Sequence, residues 1–227
     1  MTNPPSVTAD VTGALREYWL ARAAQHTQDS YAGLPLSKFP EDLRTYEHLL
    51  WEDAPDTVIE IGTQAGGSAL WFRDRLLDLQ RYGRIGTRPR VITVDIDHRS
   101  ARENLASTQS DGIELVTGDV RDAATVAAVA RLVGDRCLVI EDSAHEYDTT
   151  YAALDRFAHF VPAGGFFIVE DGCVDVDAMR LDDAWPRGVL PALHDWLATE
   201  PGRAFRVRRD LELYGVSCHP EGFLQRT

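Results

Sequence analysis

The chain has 227 residues, of which 44% are hydrophobic and 26% are charged, and this predicts one α/β domain with little room for a second. The formal net charge is −13, and because an acidic surface repels phosphates, we expect no nucleic-acid partner. Neither a secretory leader nor an apolar run long enough to span a bilayer is recognisable, so we expect a cytoplasmic protein without a membrane partner.

The first 56 residues (1–56) are predicted as a helical extension that supplies a lid. The segment up to about Ser6 is expected to be disordered. A helix should follow, because apolar residues recur at helical spacing: Val11, Leu15, Tyr18 and Ala21. After a loop, Pro40 begins a second helix in a favoured first-turn position. Three residues of this second helix are expected to face inward: Leu43, Tyr46 and Leu50.

Residues 57–227 are predicted as a Rossmann-like domain that forms one structural unit. Short apolar runs alternate there with helical segments: TVIEIG, VITVDID, IELVTGD, CLVIED and GFFIVED. Such runs favour a mostly parallel sheet with helices on both faces. The last segment, FRVRRDLELYGVSCHPEGFLQR, alternates and turns without an intervening helix, which predicts an antiparallel C-terminal strand.

Acidic residues stand at the ends of the predicted parallel strands: Glu60, Asp95, Asp119, Asp142 and the pair Glu170–Asp171. In an open parallel sheet, right-handed crossovers bring the carboxyl ends of the strands to one rim, where ligands bind. A single acid at such a place is more often a helix cap or a turn residue. Five strand ends in series predict a binding site instead.

The turn EIGTQAGGS follows the first strand and suits a small-molecule cofactor. Gly62 lets the backbone turn tightly. Gly66 lets a ligand approach the start of the next helix, near Ser68. The spacing differs from GxGxxG, so the turn alone is weak evidence. Asp95 could accept hydrogen bonds from ribose hydroxyls, with Asp97 as a less favoured substitute. Asp119 could accept one from an adenine amino group.

Together these features resemble a class I S-adenosylmethionine-dependent methyltransferase over Thr57 to the C-terminus. A narrower resemblance is carried by YAGLPLSKFPEDL, EIGTQAGGSALWF, IEDSAH, IVEDG and HPEGFLQR. These motifs, in this order, look like the family that groups rhamnosyl O-methyltransferases with cephalosporin hydroxylases. The resemblance implies S-adenosylmethionine as cofactor, bound by Glu60, Gly62, Gly66, Ser68, Asp95, Asp119 and Asp142.

The resemblance also implies a magnesium site, since the family binds Mg²⁺ with an Asp ending the fourth strand and an acidic pair ending the fifth. These positions are Asp142, Glu170 and Asp171. One crossover helix joins the two strands, so we expect the three carboxylates to converge. Carboxylates without cysteine suit Mg²⁺ or another hard divalent cation better than zinc. Such a cation can lower the pKa of an acceptor hydroxyl.

Other candidate residues surround this predicted metal. The family's DxxH pattern maps His145 beside it as a candidate general base, next to Asp142 as the second catalytic residue. Lys38, in the KFPED motif, is expected to close over the cofactor or substrate, with a surface lysine as the alternative. Trp185 could line the acceptor pocket. His219 lacks comparable context and is not assigned a role.

The resulting prediction is an O-methyltransferase that acts on a hydroxyl, such as a sugar hydroxyl, of a small-molecule natural product. The resemblance implies secondary metabolism, including antibiotic biosynthesis. A hydroxylase or oxidative tailoring enzyme is the first alternative, disfavoured because non-haem iron usually takes two histidines and one carboxylate. A non-catalytic cofactor-binding module is the second. The N-terminal helix could also support a homo-oligomer.

The three cysteines, Cys137, Cys173 and Cys218, are far apart in sequence and form no CxxC pair. An odd, scattered set is typical of reduced cytosolic thiols. We therefore predict neither a disulfide framework nor a zinc site.

Overall fold

The computed structural model describes residues 9–86, 88–213 and 217–227, with side chains from Gly13 onward. The segment predicted to be disordered, up to Ser6, lies outside the described residues. Helix α1 spans Ala9–His26, in agreement with the predicted first helix. Neither α1 nor any other helix of the described chain has the length and apolar composition that crossing a membrane requires.

The apolar residues whose spacing predicted α1 do not form its buried face. Leu15 and Tyr18 are 64% and 52% exposed, whereas Trp19 and Ala23 are buried. Ala21 is also exposed, and the side chain of Val11 lies outside the described part. The buried face of α1 is therefore formed by residues other than the described members of that set.

The segment between the first two helices was predicted as a loop, and it contains a small hairpin. Strands β1 (Ser30–Tyr31) and β2 (Leu34–Pro35) pair antiparallel. Helix α2 (Pro40–Asp53) begins at the predicted proline. Its inward residues were predicted correctly, since Tyr46 and Leu50 are buried and Leu43 is partly buried against the same cluster.

The remaining elements alternate between strand and helix along the chain. In chain order they are β3 (Thr57–Ile61), α3 (Gly67–Arg81), β4 (Arg90–Asp95), α4 (Arg99–Leu105), β5 (Ile113–Thr117), α5 (Ala123–Ala130), β6 (Cys137–Glu141), α6 (Tyr147–Phe157), β7 (Phe166–Val169), α7 (Val189–Leu197), β8 (Phe205–Val207) and β9 (Phe223–Arg226).

Seven of these strands form one sheet, in the order β5-β4-β3-β6-β7-β9-β8. The five strands β3 to β7 are parallel to one another, and β6 pairs directly with β7, as expected. Strand β9 inserts antiparallel between β7 and β8. The prediction of a mostly parallel sheet with an antiparallel C-terminal strand is confirmed, and β8 forms the edge of the sheet.

Two hydrophobic clusters cover the two faces of this sheet. Ile59 and Ile61 of β3 belong to the cluster that includes Phe157 and Trp196 of helices α6 and α7. Val58, which points to the other face, belongs to a cluster of α2 and α3 residues. Because neighbouring strand residues point to opposite faces, a strand buried on both faces reads as a continuous apolar run.

Candidate active site

A cleft of about 590 Å³ opens at the carboxyl ends of the parallel strands. The loops after β3, β4, β5, β6 and β7 all contribute to its lining, as expected for ligand sites in open parallel sheets. The predicted site residues that line it are Gly62, Ser68, Asp95, Asp119, Asp142, His145 and Asp171. Glu60, Gly66, Lys38, Glu170 and Trp185 are not among the lining residues.

The turn after β3 requires glycine at two positions. Gly62 has a φ of +105°, and a Cβ atom on it would lie 1.8 Å from the carbonyl oxygen of Asp142. A Cβ on Gly67 would lie 2.1 Å from the carbonyl oxygen of Pro35. The first glycine therefore lets β3 pass close to the loop after β6, and the second lets the β1–β2 hairpin pack on the start of α3.

Asp95, the last residue of β4, organises the same turn. Its Oδ2 accepts hydrogen bonds from the backbone amides of Thr63 (2.9 Å) and Gln64 (3.1 Å). Its Oδ1 accepts one from the amide of Asp97 (3.1 Å). These bonds fix the carboxylate at the wall of the cleft, where Oδ1, which accepts a single hydrogen bond, retains a further lone pair for a ligand.

Asp119 also lines the cleft, beyond the end of the neighbouring strand β5. It forms an ion pair with Arg121, whose Nη2 lies 2.6 Å from Oδ2. The hydrogen bonds from the Arg121 side chain and backbone lower the pKa of Asp119 to about 2. The carboxylate is therefore ionised throughout the physiological range and can act as a hydrogen-bond acceptor.

Glu60 lies inside β3 and is fully buried, away from the cleft. Thr93 donates a hydrogen bond of 2.7 Å to its Oε2. Burial raises the pKa of Glu60 to about 7, although the Lys38 charge and hydrogen bonds from Ser68 and Thr93 oppose this rise. Its contacts connect neighbouring strands and the start of α3, so any effect on a ligand would pass through these elements.

Lys38, the single lysine of the chain, lies beneath the cleft. It is 3% exposed, and its Nζ lies 2.7 Å from Asp142 Oδ2 and 2.7 Å from Glu170 Oε2. Burial lowers the pKa of Lys38, but the charges of Asp142 and Glu170 outweigh burial and hold it well above its ordinary value. Tyr46 donates a hydrogen bond of 2.5 Å to the other Glu170 oxygen. The N-terminal extension thus supplies the Lys38 ammonium group that neutralises Glu170 and the Tyr46 hydroxyl that holds it.

His145 and Asp171 meet at the rim of the cleft beside Asp142. His145 Nε2 lies 3.3 Å from Asp171 Oδ2, and its buried Nδ1 has no hydrogen-bond partner in the described structure. One ligand atom from each of Asp142, His145 and Asp171 lies within 4.8 Å of the other two. Burial lowers the pKa of His145, but the surrounding carboxylates, Asp171 foremost, raise it above its ordinary value.

His219, to which the sequence assigned no role, lies buried under the same rim. Its Nδ1 accepts a hydrogen bond of 3.1 Å from the backbone amide of Asp171. Its Nε2 is 3.7 Å from Asp42 Oδ2 and 3.9 Å from Glu170 Oε2. The HPEG motif before β9 contained this residue, but only the insertion of β9 beside β7 brings it to the site.

Trp185 is 42% exposed and lies on the segment after β7, outside the cleft lining. The cleft is instead lined on this side by residues of the extension: His26, Thr27, Leu36 and Ser37. The extension therefore contributes both to the wall of the cleft and, through Lys38, to the carboxylates below it.

Residues 24–227 match the family described as "Rhamnosyl O-methyltransferase/CmcI". A rhamnosyl O-methyltransferase of Mycobacterium bovis (strain BCG / Pasteur 1173P2) is 29% identical over 203 residues, which cover 88% of this chain and 79% of that protein.

Solved methyltransferase structures share the fold. A structure of CmcI with Mg and SAM superposes with a TM-score of 0.63 at 22% identity, covering 88% of this chain and 77% of that one. The MycE methyltransferase from the mycinamycin biosynthetic pathway, in complex with Mg, SAH and mycinamycin VI, gives a TM-score of 0.51 at 18% identity, covering 81% and 48%. The chain therefore belongs to the rhamnosyl O-methyltransferase/CmcI family and is an O-methyltransferase of the S-adenosylmethionine-dependent class.

Proposed function

We propose that this enzyme transfers the methyl group of S-adenosylmethionine to a sugar hydroxyl of a small-molecule natural product, with Mg²⁺ as a second cofactor. The observation that carries the proposal is the composition of the cleft. A glycine turn and two fixed carboxylates, Asp95 and Asp119, line one part, and Asp142, His145 and Asp171 line another. A single ligand-sized space therefore joins a nucleoside-type site to a group of acid–base and metal-binding side chains.

For the cofactor, the turn after β3 and the carboxylates of Asp95 and Asp119 offer complementary contacts. Asp95 would accept from ribose hydroxyls and Asp119 from the adenine amino group. The backbone around Gly62 carries no side chain to obstruct the cofactor. The sulfonium is cationic, so the nearby carboxylate of Asp142 favours its approach. The CmcI structure that shares this fold contains SAM, which supports the same assignment here.

The residues of the rim fit a divalent cation. Asp142 and Asp171 offer carboxylate oxygens within 4.8 Å of one another, and a ring nitrogen of His145 lies beside them at the same separation. Glu170, also predicted as a ligand, adjoins Asp142 through Lys38, and it would join the set if Lys38 released its oxygen. Oxygen-rich donors suit Mg²⁺. When bound, the cation would lower the pKa of a hydroxyl in contact with it.

His145 is proposed to take the proton of the acceptor hydroxyl. In direct transfer the acceptor oxygen forms a bond to the methyl carbon as the carbon–sulfur bond breaks, and S-adenosylhomocysteine leaves. The hydroxyl proton must then pass to a base. The contact between its Nε2 and Asp171 orients the His145 ring at the wall of the cleft. Holding both substrates in line supplies much of the acceleration.

The acceptor class is inferred from relatives. The mycobacterial relative is named for a rhamnosyl acceptor, and the MycE structure holds mycinamycin VI. We therefore propose a glycosylated small molecule, methylated on its sugar.

Purified enzyme incubated with S-adenosylmethionine and rhamnosylated acceptors should form S-adenosylhomocysteine and a methyl ether detectable by mass spectrometry. A chelator should abolish both products and Mg²⁺ should restore them. Full turnover without any metal would refute the metal assignment, and no methyl ether with any glycoside would refute the acceptor class.

The base assignment has its own test. His145→Ala should lower kcat by about 10²–10⁴-fold while S-adenosylhomocysteine affinity stays nearly unchanged. His194→Ala is the matched control, because His194 is on the outer side of α7, paired with Glu221. The rival role is to orient Asp171 at the metal. If saturating Mg²⁺ rescues His145→Ala, the orienting role is correct and the base assignment is wrong.

A further inference from the structure

Two cysteines that the sequence separates by many residues lie side by side next to the candidate active site. Cys173 is in the 3₁₀ turn after β7, and Cys218 is in the loop before β9. The backbone amide of Cys173 donates a hydrogen bond of 3.1 Å to the carbonyl oxygen of Cys218. Both side chains are buried, in a small cluster completed by Trp19, Ala23 and Phe39.

Their sulfur atoms share a neighbour with the rim of the cleft. The two Sγ atoms and one carboxylate oxygen of Asp171 lie within 4.8 Å of one another. Two sulfur donors and one oxygen donor at such separations approach the arrangement that a single cation requires. The third thiol, Cys137, lies in β6 among a different set of apolar residues and has no such neighbours in the described structure.

We propose that Cys173, Cys218 and Asp171 form a binding site for a soft, thiophilic divalent cation such as Zn²⁺ or Cd²⁺. Thiolate ligands select such ions, whereas Mg²⁺ prefers oxygen donors. On binding, the two S–H bonds break, two sulfur–metal bonds form, and two protons leave to the solvent. A water molecule or a second Asp171 oxygen completes four-coordination.

Asp171 belongs to both donor groups, which makes the two sites antagonistic. Its carboxylate contacts His145 at the cleft and also adjoins the thiols. A thiophilic ion that draws Asp171 towards Cys173 and Cys218 removes a donor from the group at the rim. This antagonism rests on the proposed magnesium-dependent function, whereas binding at the thiols does not.

The test uses Cd²⁺ alone, added to full-length protein that has been reduced and freed of metal. The parent chain should bind one Cd²⁺ with a thiolate-to-cadmium absorption band. Cys173→Ala and Cys218→Ala should each reduce that band by at least half and weaken binding by at least tenfold. Cys137→Ala, which removes the distant thiol, should bind as the parent does. Circular dichroism checks that each variant is folded.

Two outcomes of the cadmium titration would overturn the site. One is a folded parent that shows no thiolate band at millimolar Cd²⁺, and the other is an unchanged band in folded Cys218→Ala. A disulfide found between the two cysteines under the reducing conditions would also overturn it. Methyl transfer with Mg²⁺ is measured separately, so a failed cadmium site with intact magnesium-dependent transfer refutes only this inference.

Discussion

Lys38 contributes a positive charge to a place where carboxylates from two strands converge. Asp142 follows β6 and Glu170 follows β7, and Lys38 approaches both from the extension. Two carboxylates this close would repel each other, and the buried one would be costly to ionise without a counter-charge. The ammonium group therefore stabilises the arrangement that brings Asp142 to the cleft.

Lys38→Met should lower the free energy of unfolding by about 2–4 kcal/mol, because removing one partner leaves buried charge uncompensated. Urea unfolding measures the loss, and Lys38→Arg, which retains the charge, serves as control and should lose less. If Asp142 and Glu170 can bind a cation, millimolar Mg²⁺ should recover more stability in Lys38→Met than in the parent. Equal stability of parent and Lys38→Met would contradict the structural role.

Glu60 should make stability depend on pH, because its pKa in the folded chain is about 7. The pKa in the unfolded chain is near 4.5, so the folded state binds the extra proton between these values and is stabilised by it. That stabilisation is complete below about pH 4.5 and is lost as the pH rises towards 7. Glu60→Gln, which mimics the protonated form, should gain about 2–3 kcal/mol over the parent between ~pH 5 and ~pH 8. Glu103→Gln on the exposed face of α4 should gain nothing, and parallel pH profiles for Glu60→Gln and parent would reject the assignment.

Position relative to the strand end separates Glu60 from the acidic residues that reached the cleft, although Glu170 also follows its strand and is held below by Lys38. Asp119, Asp142 and Asp171 come after their strands, so they are free to turn towards the ligand space. Glu60 precedes the last residue of β3, and a residue inside a central strand is covered by the layers on both faces. His219 was missed because its role depends on a strand pairing that no local pattern encodes.

At the scale of elements, α1 is anchored by polar contacts to the segment after β7. Arg16 donates to the carbonyl oxygens of Ala178 (3.0 Å) and Arg180 (3.3 Å), and Trp19 Nε1 donates to that of Met179 (2.6 Å). Trp19 also stacks on Phe39, with the ring centroids 5.1 Å apart. The helix packs on a loop whose carbonyl oxygens accept these hydrogen bonds, so its buried face includes Trp19 and not Leu15 or Tyr18.

Trp19→Ala should therefore destabilise the chain by about 2–4 kcal/mol, since it removes a buried ring and a hydrogen-bond donor. Amide exchange in residues 176–187 should accelerate, because the segment loses its anchor. Tyr18→Ala alters the neighbouring, exposed position of the same helix and should change stability by no more than ~0.5 kcal/mol. Equal effects of the two substitutions would show that α1 is not docked through Trp19.

At the scale of the whole molecule, the apolar runs predicted β3, β6 and β7 well because these strands are buried along their whole length. Strand β5, at the other edge of the sheet, is buried only at Val116. The insertion of β9 between β7 and β8 could not be read locally, since pairing between distant strands leaves no mark on their spacing. The sequence likewise did not show that residues 1–56 and 57–227 share a buried core. Tyr46, Leu49 and Leu50 of the extension belong to the same buried cluster as Phe72 of α3.

This shared core predicts that residues 57–227 do not fold without the extension. Tyr46, Leu49 and Leu50 are at most 2% exposed, and burying a large apolar side chain contributes about 1.5–3 kcal/mol. Their loss would remove roughly 5–9 kcal/mol, comparable with the whole stability of a domain. A chain beginning at Gln28 keeps α2 and Lys38, so it should unfold cooperatively in urea, whereas one beginning at Thr57 should show no cooperative transition. Native near-ultraviolet circular dichroism from the shorter chain would instead establish 57–227 as an independent unit.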